Sequence, residues 1–65
     1  MPSQKMLEAL KTALEHEKHA MEMYRRMAQQ AEDAETRLLM EQIAREEEGH
    51  YNQLSKRLKA LRLLG

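Results

Sequence analysis

"AEDAET", residues 31–36, is where the apolar pattern of the chain lapses. On its N-terminal side Met6, Leu7, Leu10, Ala13, Leu14, Ala20, Met21, Tyr24, Met27, Ala28 and Ala31 follow the three-and-four spacing of one helical face. On its C-terminal side Leu38, Leu39, Ile43, Leu54, Leu58, Leu61 and Leu64 carry a second run. Asp33 is placed to cap that second helix, and Ser3, just after Pro2, to cap the first. Two helices joined by so short a break turn back on each other as an antiparallel hairpin. The expected organisation is a single all-α domain over residues 1–65, with a helix over about 3–31, a turn at about 32–34 and a helix over about 35–64.

Composition agrees with this reading and removes several functions. There is no valine, one isoleucine and two threonines, so strands have almost nothing to build with, whereas Ala, Leu, Met, Glu, Gln, Lys and Arg lose little rotamer freedom in a helix. With no cysteine, disulfides, thiolate zinc sites and iron–sulfur clusters within the chain are excluded. Lysine plus arginine and aspartate plus glutamate both number 11, so no net field draws the protein to nucleic acid or to an anionic membrane. No apolar run is long enough to span a bilayer, and the first residues lack a basic-then-apolar signal pattern; a cytoplasmic protein is expected.

At 65 residues the chain is too short to bury a comfortable core by itself. Yet both apolar stripes are interrupted by charge. In the first helix the rows converge on Glu17, and in the second the step from Ile43 to Leu54 passes through Glu47 and His50, within "EEEGHY", residues 46–51. Glu17 lies 16 residues before Asp33, while Glu47 and His50 lie 14 and 17 after it, so an antiparallel hairpin brings them to nearly one level. A lone glutamate in such a stripe ordinarily lays its stem on apolar surface and its head in solvent. Three ionisable groups converging at one level of a small core are costly unless a cation compensates them.

One hairpin supplies two carboxylates and one imidazole, too few for a closed metal site. Two copies of the chain double the set to four glutamates and two histidines, the carboxylate di-metal pattern of a four-helix bundle. The expectation is therefore a homodimer, or a higher homo-oligomer, holding two metal ions per dimer. Oxygen-rich ligands with imidazole suit iron, with manganese or zinc as substitutes.

Glu17-x-x-Ala20-x-x-x-Tyr24, followed after a turn by Glu46-Glu47-x-x-His50, resembles the rubrerythrin branch of the ferritin-like superfamily, and most of all the encapsulated ferritins. The resemblance spans roughly residues 7–58. It implies a ferritin-like four-helix bundle assembled from two hairpins, and a ferroxidase that oxidises Fe(II) with dioxygen or peroxide. By the same resemblance Glu17, Glu47 and His50 of both chains are the metal ligands, with Glu47 bridging the ions. Tyr24 matches the tyrosine that sits just behind those ligands in the family. An encapsulin shell is the further partner the resemblance suggests; the second helix runs to Leu64-Gly65 with no shell-targeting peptide visible. Two other readings stay open: a rubrerythrin-like di-metal peroxidase with a separate electron donor, and a non-catalytic helical scaffold.

The remaining polar residues carry less. His16 and His19 point away from Glu17, and His19 follows Glu15 by four, as in an exposed helix pair. Gly49 inside a helix either permits a close approach or has no role. Beyond Glu48 there are no acids, and Lys56, Arg57, Lys59 and Arg62 complement the helix dipole or offer a surface to an acidic partner.

Overall fold

A computed structural model describes residues 2–64. Helix α1 spans Gln4–Gln30 and helix α2 spans Ala34–Leu63. Each begins where a side chain replaces the missing intrahelical acceptor: Ser3 Oγ accepts from the Met6 amide at 3.1 Å, and Asp33 Oδ2 accepts from the Thr36 amide at 2.8 Å. The bond from Thr36 also holds the Asp33 carboxyl below its ordinary range, so the cap is a carboxylate at neutral pH. The helices fold back into a rod of 49 × 14 × 10 Å. Among the described residues no helix is long and apolar enough to cross a membrane.

The seam between the helices is narrow. On α1 it runs through Leu7, Leu10, Leu14, Glu17, Met21, Tyr24 and Ala28, and on α2 through Met40, Ala44, Glu47, Tyr51, Leu54, Leu58 and Leu61, all at least half-buried. Only Ala28, Ala44 and Leu58 of the described apolar residues are buried. Leu38, Leu39 and Leu64, expected on the packed stripe, are instead exposed, and Met40, Ala44 and Tyr51 take the inner positions. The reason is rotational. α2 carries apolar residues on more than one row, and the row that meets α1 is selected by fit across the seam, where small Ala44 lets the helices approach.

The two flanks of the seam differ in chemistry. On one, Arg25 Nη2 donates to Glu48 Oε2 at 3.0 Å and ties α1 to α2. Residues on the other side of each seam row therefore share the opposite flank. That flank presents Met6, Ala13, Ala20, Met23 and Met27 from α1, and Leu39, Ile43 and His50 from α2. Met6, Met23, Met27 and Leu39 are exposed there, an apolar surface that the hairpin leaves uncovered.

Candidate metal centre

Glu17 and Glu47 enter the site as seam residues of facing helices. Each takes a position that a leucine would otherwise fill, which keeps their side chains only 25% and 20% exposed. His50, one turn beyond Glu47, lies on the apolar flank, and its ring is 58% exposed; the expectation that it points fully inward is corrected to a position at the rim. Its Nδ1 lies 3.6 Å from Glu17 Oε2 and 3.9 Å from Glu47 Oε1. One ligand atom from each of the three residues lies within 4.8 Å of the other two.

Electrostatics sets this group apart. Glu17 Oε2 is buried and has no hydrogen-bond partner among the described residues, and an orphaned carboxylate oxygen costs roughly 1–3 kcal/mol. Glu47 is held above its ordinary value, first because it can share a proton with the Glu17 carboxylate, then by loss of solvent and by the like charge of Glu17; His50 opposes this. Ligands at 2.0–2.2 Å from a divalent ion lie up to about 4.4 Å apart, so the observed spread needs only side-chain adjustment to close on one ion. The donor set and the unpartnered oxygen fit such an ion.

Tyr24 lies on the seam seven residues from Glu17 toward the turn, about 10 Å along the axis. Tyr51, which stripe reasoning from leucines passes over, lies four residues beyond Glu47 on the side away from the turn. These are the only aromatic residues of the chain, and they bracket the carboxylate level with half-buried rings. Neither hydroxyl bonds to a ligand carboxylate among the described residues.

His16 and His19 are exposed and stand outside the cluster. Lys56, Arg57, Lys59 and Arg62 are likewise exposed and make no ion pair among the described residues.

No curated protein and no solved structure matches the chain. The family model described as a ferritin-like domain matches residues 2–64, nearly the whole length, and the chain with its paired helices and mid-helix carboxylates belongs to that ferritin-like domain family.

Proposed function

We propose that two copies of the hairpin pack through their apolar flanks into a four-helix bundle, bind two Fe(II) ions between them, and oxidise these to Fe(III). One observation carries the reading: Glu17, Glu47 and His50 converge from two helices, with a buried Glu17 oxygen that has no hydrogen-bond partner among the described residues. The position of His50 favours the dimer. It stands at the edge of the apolar flank, so a second hairpin laid on that flank brings its own three ligands to the same level.

The ligands have distinct tasks. Glu17 and Glu47 supply anionic oxygens held by the helical seam, so little conformational freedom is lost when an ion binds. The hydrogen bond with Glu17, loss of solvent and the like charge of Glu17 raise the Glu47 carboxyl above its ordinary value, so protons compete with the metal for it. His50 supplies a neutral nitrogen from the flank. Four carboxylates from two chains balance the charge of two divalent ions, so the filled site is close to neutral. Iron is the substrate and electron donor: two Fe(II) yield two electrons, which with two protons reduce dioxygen to hydrogen peroxide.

Anaerobic titration with Fe(II), followed by native mass measurement and then by air, tests the proposal. Two irons per dimer are expected, with oxidation faster than in protein-free buffer and most of the acceleration lost in Glu47→Ala. A protein that takes up no Fe(II) is a scaffold, and one that reacts with peroxide but not with dioxygen is a peroxidase; either result overturns the ferroxidase.

A further inference from the structure

On the flank away from His50, a groove of about 390 Å³ lies between the helices near the turn. Its floor is Ala28 and Ala44, both buried, whose small side chains leave the space open. Its walls carry Arg25, Arg37 and Arg45 against Glu41 and Glu48, one positive charge in excess. Arg25 and Glu48 are engaged with each other at 3.0 Å. Arg37 comes no nearer than 4.0 Å to Glu41, beyond hydrogen-bond reach, and Arg45 forms no ion pair among the described residues. Two planar donor forks therefore face one groove with their hydrogen bonds uncommitted. The pairs that do form have half-exposed side chains, so an anion competes with them at small cost.

We propose that this groove binds a small polycarboxylate, with its carbon chain on Ala28 and Ala44 and its carboxylates on the forks of Arg37 and Arg45. Guanidinium geometry suits carboxylate and phosphate alike. The floor discriminates between them. A single phosphate leaves the two alanines bare and most of the groove unfilled, whereas a short carbon chain with a carboxylate at each end covers the alanines and reaches both arginines. The groove also stays open when a second chain covers the opposite flank. The proposal depends neither on the metal nor on the dimer.

The test is titration of the metal-free protein at low ionic strength with propane-1,2,3-tricarboxylate, and in parallel with orthophosphate, followed residue by residue by NMR. Saturable shifts are expected at Ala28 and Ala44, with tighter binding of the tricarboxylate than of phosphate. Arg37→Gln and Arg45→Gln each weaken binding by about fivefold or more, since each removes a charge-assisted contact at an exposed site. Arg45→Lys keeps the charge, loses the fork and falls between. Both positions are on the surface, and retained helicity by circular dichroism shows that the fold is intact. No saturation by about 10 mM overturns the proposal, as that corresponds to a negligible affinity. Equal binding of phosphate, shifts centred on Lys56 and Arg57 instead, or unchanged affinity in both glutamine variants overturn it too.

Discussion

Glu17 Oε2 is buried without a hydrogen-bond partner among the described residues, and 3.6 Å away stands His50 Nδ1, on a ring open to solvent. A carboxylate sealed inside and an imidazole left outside describe a site that one hairpin half closes. What closes it must arrive from the flank of His50, where exposed methionines and leucine already call for a cover.

Metal binding and association are therefore expected to be linked. Mn(II), which avoids oxidation, should shift sedimentation of the wild type from monomer toward dimer, and protein concentration should raise apparent metal affinity. Ile43→Glu puts a charge on the apolar flank and leaves the three ligand residues themselves unchanged. It should hold the protein monomeric and weaken metal binding by about tenfold or more, while helicity is kept. A monomeric Ile43→Glu that binds metal as tightly as the parent places the whole site within one chain.

Two carboxylates with opposite shifts should give the metal-free protein an unusual response to pH. The folded-state value of Asp33 is lowered, so its stabilising effect is present above its unfolded value and is lost as pH falls through the folded one. Glu47 is raised, so the folded state binds more protons than the unfolded chain between the ordinary 4.5 and the raised value, and stability falls as pH rises through that window. Thermal melts across acid pH should separate them. Asp33→Asn keeps a capping oxygen and should remove the loss on the acid side. Metal uptake should release protons in the Glu47 window and weaken as pH falls through it; uptake without proton release would leave Glu47 ionised in the apo site.

The hairpin itself was legible because its signals are local: helix-forming residues, three-and-four spacing, Ser3 and Asp33 at the two starts. The convergence of Glu17 with Glu47 was legible too, since counting from Asp33 fixes levels along antiparallel rods. Rotation about the axes was not. Leu38 and Leu39 have the bulk of core residues, yet the seam went to Met40 and Ala44, because close approach rewards the small side chain. The same rotation moved His50 to the rim and joined Arg25 to Glu48, a pair 23 residues apart that no spacing rule connects.

Gly49 has its expectation decided by space. A Cβ there meets nothing within 4 Å among the described residues, which supply no reason for glycine. Gly49→Ala should raise stability by about 0.5–1 kcal/mol, the ordinary helix-interior difference. At the size of this chain, that moves the melting temperature by several degrees. A gain in the monomeric Ile43→Glu background but a loss in the parent would show another helix packed against Gly49 in the assembly.

The strongest discrimination comes from Glu17→Gln. Its amide keeps the shape of the side chain, removes the negative charge, and offers N–H groups that can donate to the Glu47 carboxylate, so the orphaned oxygen and the like charge disappear together. Without metal the variant should be more stable than the parent, by an amount on the order of 1 kcal/mol, or roughly 5 °C in melting temperature. With metal the order should reverse, because a neutral amide is a poor ligand for a hard cation and the parent gains binding energy that the variant lacks. The proton shared with Glu17 should also vanish, flattening the Glu47 part of the pH response. If the variant instead melts lower than the parent in the absence of metal, Glu17 is held by a structural partner supplied by a second chain, and its burial serves architecture rather than metal binding.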